Sequence, residues 1–228
     1  MQRFNKITLT GLIAIVLFLL ISYLVISGMT RSIDNSYSLL LNRYAGGYLN
    51  SFLVYSSLYG REYFWIPVTA IMLLFGREKT RFLAVELAGI FIAAIIVGLA
   101  LHHIYFRERP FEALSAIVAR VPPDFGSSFP SGHALIVSVG ASFAVMKFRN
   151  KALSAILAAE AAVVCYSRVY VGMHYPTDVI AGIFLGIALA AFGSIAIELW
   201  LYGIADKLTY VISKALAALR IPELLDLT

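Results

Sequence analysis

Between Ser167 and Asp178 the chain reads Ser-Arg-Val-Tyr-Val-Gly-Met-His-Tyr-Pro-Thr-Asp. A carboxylate beside a histidine fixes the tautomer of the imidazole and raises its nucleophilicity or basicity. Pro176, with its locked φ and missing N–H, suits the first position of a helix, and Tyr175 before it is pushed to an extended conformation. His174 is therefore expected in a loop mouth, with Asp178 in the first helical turn and close enough to reach back to the ring. Arg168, six residues upstream, offers a planar fork suited to phosphate or carboxylate. A second stretch, Pro130-Ser131-Gly132-His133, opens another helix. Its free N–H groups and dipole favour anions, Gly132 lets the backbone approach closely, Ser131 adds a hydroxyl and His133 can donate a proton. With Arg109 these residues describe an oxyanion site whose two histidines can work in opposite protonation states. The same charges also fit a plain interfacial loop that solvates a membrane edge.

The elements that would position them are set by composition. Of 228 residues, 61% are hydrophobic and 14% charged, against about 25% charged in ordinary soluble domains. This is the composition of an all-α integral membrane protein, and its length fits one bundle, residues 1–228, rather than two domains. The single cysteine, Cys165, rules out a disulfide framework or CxxC metal site and reads as a small buried hydrophobe. The net charge of +5 does not require nucleic acid, because the basic residues cluster in short loops, as positive-inside topology explains.

Six spans are expected, at about residues 7–27, 56–76, 82–102, 130–147, 151–168 and 176–201. The first is too long for a signal peptide; the second is the least regular, since only 63–76 is free of charge and about 20 apolar residues are needed to cross. Ile33, Tyr37, Leu40, Leu41 and Tyr44 predict a short helix lying in the interface, and Leu208, Val211, Ile212, Ala215, Leu216 and Leu219 an amphipathic tail over 205–221. Aromatic residues around 44–65 resemble an interfacial belt. Eleven of the eighteen basic residues, Arg3 and Arg77 among them, fall on one side of this arrangement and seven on the other. The bias places both termini in the cytoplasm and the loops 103–129 and 168–176 together outside. All four histidines, His102, His103, His133 and His174, then lie at the outward ends of spans. Glu160 is expected to make a structural hydrogen bond within the bundle, while Glu86 and Glu198 lie nearer the cytoplasmic ends. Gly182 and Gly186, with Gly193, read as close helix packing.

In order, Arg109-Pro110, Pro130-Ser131-Gly132-His133, and Ser167-Arg168 with His174 and Asp178 resemble the three-part signature of the type-2 phosphatidic acid phosphatase family, over roughly residues 95 to 200. These are membrane lipid phosphatases that share a helical core with vanadium haloperoxidases. The resemblance implies that His174 is the nucleophile, forming a phosphohistidine, that Asp178 orients it, and that His133 protonates the leaving oxygen. Arg109, Arg168, Ser131 and Gly132 would hold the phosphoryl oxygens, with no metal or other cofactor. The chain departs from the signature at one position: the family has a Lys where this sequence has His102. Either His102 takes that role as an imidazolium, or His103 or Arg107 reaches in.

The residues themselves agree with this chemistry, because phosphoryl transfer depends on positioning and charge stabilisation and on two groups with separated pKa values. A zinc site is a rival reading, but no His-Glu-x-x-His spacing is present. An anion-binding transporter is another, for which discontinuous spans and internal repeats would speak; no repeat is visible. The expected partner is a lipid phosphate at headgroup depth in the plasma membrane. Candidates are undecaprenyl diphosphate, because the stretch Phe106-Arg107-Glu108-Arg109-Pro110-Phe111 resembles the polyprenyl-diphosphate branch of the family, then phosphatidylglycerol phosphate and phosphatidate.

Overall fold

The computed structural model describes residues 2–43 and 46–228, without the side chains of residues 2–4, so Tyr44 of the expected interfacial stripe and the Arg3 side chain lie outside the described residues. Among the described residues ten α-helices follow one another: α1 (Gln2–Ile26), α2 (Arg31–Asn42), α3 (Gly47–Tyr59), α4 (Glu62–Phe75), α5 (Glu78–Ile104), α6 (Pro110–Ala113), α7 (Gly132–Lys147), α8 (Lys151–Tyr170), α9 (Pro176–Ala196) and α10 (Tyr202–Ala218). A π-helical turn, Ile197–Leu201, joins α9 to α10. Four helical stretches among the described residues are long and apolar enough to cross a membrane: Asn5–Ile26, Glu78–Ile104, Lys151–Tyr170 and Pro176–Ala218. Glu62–Phe75 and Gly132–Lys147 are apolar but shorter.

Two expectations need correction. The second span is not one helix over 56–76: α3 and α4 are separated at Gly60-Arg61. Gly60 lies so close to α8 that a Cβ there would stand 2.2 Å from Val164 Cγ2, and the chain re-aims at Arg61. The helix α2 forms where expected. Asp34, Ser38 and Asn42, one turn apart, are buried, whereas Ile33, Tyr37 and Leu40 are exposed. In an apolar surrounding the polar stripe turns to the protein interior, where partners exist, and the apolar stripe turns outward. The tail, finally, continues α9 through the π turn. Its protein-facing residues are Ala205, Thr209 and Leu216, while Leu208, Val211 and Leu219 of the expected stripe are exposed.

Beyond α10 the chain folds back on the α4–α5 turn. Arg77 N–H donates to the Leu225 carbonyl and Leu225 N–H to the Phe75 carbonyl, both at 2.8 Å. Arg81, fully buried, pairs with Glu223 at 2.6 Å. Lys147 lies between Glu86 (2.8 Å) and Glu198 (2.5 Å), which accounts for two of the three carboxylates expected in the spans. Glu160 lies beside the Trp65 indole N–H, the donor for its expected bond within the bundle. Cys165 is buried, as expected of a small hydrophobe.

At the centre α7 packs against α5, α8 and α9. The α7–α9 seam is closed by Gly182 and Gly186. A Cβ on either would stand 2.6 Å from a backbone carbonyl, of Ser131 and Leu135 respectively. Gly193 instead faces the Ile90 side chain of α5. The seam brings the N-termini of α7 and α9 side by side, where Ser131 N–H donates to the Asp178 carbonyl at 3.0 Å. Because a carbonyl on a packed helix cannot retreat as a side chain can, Gly182→Ala is expected to lower stability by about 1–3 kcal/mol. Gly193→Ala, which displaces a side chain, should cost less; thermal unfolding of the two variants in detergent compares them.

Candidate active site

Three chain segments meet above the α7–α9 seam. Ser131 caps α7, its hydroxyl accepting Ala134 N–H, and α9 begins at Pro176 with the Asp178 carboxylate accepting Tyr175 N–H at 2.8 Å. Between α8 and α9 the turn is made by Gly172 at φ +80. A Cβ there would also meet the Val118 carbonyl at 3.0 Å, so the position suits glycine twice over. The turn carries Arg168 and His174 back to the same place: both Met173 N–H and His174 N–H donate to the Arg168 carbonyl at 3.2 Å.

His174 is buried, and its Nδ1 lies 2.8 Å from the Ser128 carbonyl. A carbonyl can only accept, so Nδ1 carries the hydrogen and Nε2 keeps its lone pair. Asp178 stands behind the ring, but its Oδ2 is 3.9 Å from Nδ1, beyond hydrogen-bond reach. The loop carbonyl holds the tautomer directly, and Asp178 contributes its charge and the helix cap. On the other side, Arg109 Nη1 lies 3.4 Å from Nε2 and donates to the Met173 carbonyl at 3.1 Å. Burial first, and then the Arg168, Arg109 and His133 charges, hold the His174 imidazole well below its ordinary range, against the bond to Ser128.

Arg168, also buried, donates to Ser57 Oγ at 2.7 Å and pairs with Asp124 at 3.3 Å. His133 sits in the first turn of α7, buried but for 7%. Its Nδ1 is 3.3 Å from Arg61 Nη1, so the α3–α4 break delivers a third guanidinium. The structure thus brings His133, His174, Arg109, Arg168 and Gly132 around one point. Ser131 is placed there by its backbone, but its hydroxyl is fully buried and engaged as the cap.

The three candidates for the missing Lys behave differently. His102 reaches the rim, with Nε2 2.8 Å from the Pro130 carbonyl. His103 is exposed. Arg107 is committed to carboxylates: Nη2 donates to Asp34 at 2.7 Å, Nη1 pairs with Asp178, and the guanidinium lies 4.1 Å from the Tyr175 ring centre. Burial alone would lower its pKa, but Asp178 and Asp34 outweigh burial and hold it above the usual value.

Asp34 is the residue that sequence reasoning missed. Besides Arg107 it accepts from Thr177 N–H (3.1 Å) and Thr177 Oγ1 (2.6 Å), so α2 clamps the start of α9. Asn42, at the other end of the same face, donates to the Val118 and Tyr170 carbonyls and accepts from Val118 N–H. An Asp, Ser and Asn at i, i+4 and i+8, which share one face of a helix, was the available signal. Among the described residues, no three His, Cys, Asp or Glu side chains gather as metal ligands do.

Below Arg61, His102 and Gly132 a groove of about 610 Å³ descends between α4, α5 and α7, lined by Trp65, Ile66, Leu73, Ile95, Leu99 and Leu135 among others. Over α4 it spans Arg61 to Leu73, about 18 Å at helical rise.

The family model described as the PAP2 superfamily matches residues 83–201. The chain is 40% identical over 189 residues to an undecaprenyl-diphosphatase of Sulfolobus acidocaldarius, covering 82% of this chain and 90% of that one. The chain belongs to the PAP2 superfamily. It is also 32% identical to undecaprenyl-diphosphatase BcrC of Bacillus subtilis, over 62% of this chain and 71% of that protein. The fold matches the crystal structure of a transmembrane PAP2-type phosphatidylglycerolphosphate phosphatase from Bacillus subtilis, with TM-score 0.69 and 23% identity over 83% of this chain and 96% of that one. The PAP2 match takes in α7, α8, α9 and most of α5, whereas α2 and the α3–α4 break, which supply Asp34 and Arg61, lie before it.

Two outcomes follow for this PAP2 site. His174 in the folded protein binds its proton more weakly than a free imidazole does. The neutral form is therefore present down through pH 6.5, the ordinary histidine value being about 6.5. The acid-side fall in kcat/KM from this group should lie below pH 6.5 in a pH–rate profile, and a limb at or above that value would contradict it. Asp34→Ala leaves part of a buried ion pair uncompensated and should cost about 3 kcal/mol or more of stability. It should also lower activity, measured as the unfolding midpoint and turnover in detergent.

Proposed function

We propose that this chain is a membrane lipid phosphatase that removes the terminal phosphate of a polyprenyl diphosphate, undecaprenyl diphosphate being the favoured lipid, through a phosphohistidine on His174. The observation that carries the reading is the His174 ring itself. With Nδ1–H held by the Ser128 carbonyl at 2.8 Å, Nε2 is a neutral lone pair facing Arg109 at 3.4 Å. That is the arrangement a nitrogen nucleophile needs beside a bound anion.

Arg109, Arg168 and the N-terminal backbone of α7 at Ser131 and Gly132 surround the phosphoryl oxygens and stabilise the charge that builds on them. His174 Nε2 forms the N–P bond while His133 gives its proton to the departing bridging oxygen. The incoming phosphate brings the negative charge that a protonated His133 requires beside Arg61 and Arg168. Water then cleaves the N–P bond, with His133 taking up the proton, and inorganic phosphate leaves. Asp178 acts on His174 through the α9 cap and its charge at 3.9 Å.

The reading places 1–228 in the membrane as one unit of six spans, the shorter α4 and α7 included. Both ends lie in the cytoplasm and the site at the outer headgroup level, supported by the division of basic residues, eleven against seven. The two relatives' names speak for undecaprenyl diphosphate, and the apolar groove below the site offers room for part of a long chain. Phosphatidylglycerol phosphate and phosphatidate are the alternative lipids.

Phosphate release by the purified protein in detergent with EDTA present is the test. Undecaprenyl diphosphate should be hydrolysed fastest of the three lipids, and His174→Ala should lose at least about a thousandfold in kcat, as loss of a nucleophile does. No release from any lipid, or full activity in His174→Ala, would leave an anion-binding protein and direct attention to transport.

A further inference from the structure

The α3–α4 break places a cation where the family signature does not have one. Arg61 leaves the helix line just after Gly60, whose missing side chain lets the break lie against Val164 of α8. Its Nη1 stands 3.3 Å from His133 Nδ1 and 3.6 Å from the point a Gly132 Cβ would occupy. Nη2 rests on Glu62, the Nε is buried without an acceptor, and the side chain keeps 30% of its surface exposed. The guanidinium is thus anchored from outside by Glu62 and turned toward His133 and Gly132.

We propose that Arg61 binds the phosphate that stays on the lipid, and so makes the site select a diphosphate over a simple phosphate ester. The assignment rests on the phosphatase reading above and fixes which end of the site takes which phosphate. His174 attacks the terminal phosphorus between Arg109 and Arg168. His133 protonates the bridging oxygen, so the lipid-linked phosphate must lie beyond His133. That phosphate is joined to the chain, and hence must also lie at the top of the groove between α4, α5 and α7. Arg61 is the cation that meets both conditions: it touches His133 and lines the groove mouth with His102 and Gly132. The other cations are placed elsewhere. Arg107 is held between Asp34 and Asp178, and His102 is tied to the Pro130 carbonyl.

The balance of the step gives Arg61 its work. As the N–P bond forms and the P–O bond to the bridging oxygen breaks, the electron pair passes to the leaving monophosphate. His133 neutralises part of that charge with a proton, and a guanidinium on the non-bridging oxygens takes more of it. A simple ester leaves as an alcohol with no phosphate for Arg61 to hold.

The experiment uses full-length protein in detergent, with pyrophosphate and orthophosphate as probes and the unfolding midpoint as the readout of binding. Wild-type protein should bind pyrophosphate more tightly than orthophosphate. Arg61→Gln should weaken pyrophosphate about tenfold to a hundredfold, the range of a charge-assisted contact, while orthophosphate changes by less than about twofold. Arg61→Lys should restore part of the preference and guards against a folding defect. In parallel, kcat/KM for undecaprenyl diphosphate should fall in Arg61→Gln by a similar factor. Equal weakening of both anions, an unchanged preference, or no wild-type preference would each overturn the assignment. A wild-type protein that prefers pyrophosphate but hydrolyses no lipid diphosphate would sink the phosphatase reading and leave Arg61 in place. Normal hydrolysis with an unaltered Arg61→Gln would sink Arg61 alone.

Discussion

Arg107, buried between Asp34 and Asp178, is the interaction on which the placement of the site depends. Carrying three charges out of water costs several kcal/mol each unless they compensate one another with full hydrogen bonding. Here they do: Asp34 also takes both donors of Thr177 and Asp178 takes the Tyr175 N–H. Each of these bonds ends at the first turn of α9. One guanidinium therefore joins α2, the loop after α5 and the start of α9. The turn bearing His174 has little freedom left once those contacts form.

The other cations of the site are satisfied differently, and the contrast separates structure from function. Arg109 and Arg168 are as buried as the ion-paired carboxylates, yet each keeps an Nε without an acceptor. Arg168 reaches one carboxylate, Asp124, at 3.3 Å, and that residue is largely exposed. Arg61 shows the same incomplete pairing. An unpaired Nε is not sufficient by itself, since Arg120 also has one while lying over the Tyr170 ring. What distinguishes the trio is that all three lie around the two histidines. A surplus of positive charge held at the end of an apolar bundle is unfavourable until an anion arrives, and binding energy for phosphate is stored in that arrangement.

The sequence made the centre of the site legible and left its frame obscure. His174, His133, Arg109, Arg168 and Asp178 sit next to prolines and glycines that announce helix starts and turns, and local rules place them well. The clustering of helix ends followed from span counting alone. Asp34 and Arg61 were not legible in the same way. Their roles depend on pairing across more than seventy residues with Arg107 and His133, and no local spacing records that. The polar face of α2, which Asp34, Ser38 and Asn42 turn to the interior, was not read from the sequence. In lipid surroundings the polar stripe marks the interior. The break at Gly60 was hidden because hydropathy measures content and not direction, and the glycine's reason for being there is Val164, a hundred residues away.

The same bilayer logic explains why two of the apolar helices are short. Irregular backbone at membrane depth is tolerated only where protein or a polar cavity satisfies it. The ends of α3 and α4 and the start of α7 are such places, and each lies beside the cationic pocket. A longer α7 would carry His133 and its N-terminal N–H groups beyond the start of α9. At sixteen residues it stops lower, and with α9 beginning beside it the two positive helix ends meet at one depth. The groove under Arg61 starts from that depth and runs down among apolar side chains. On the phosphatase reading proposed above, a lipid phosphate at the groove mouth would have its charge among guanidiniums and its hydrocarbon beside Trp65, Leu99 and Leu135.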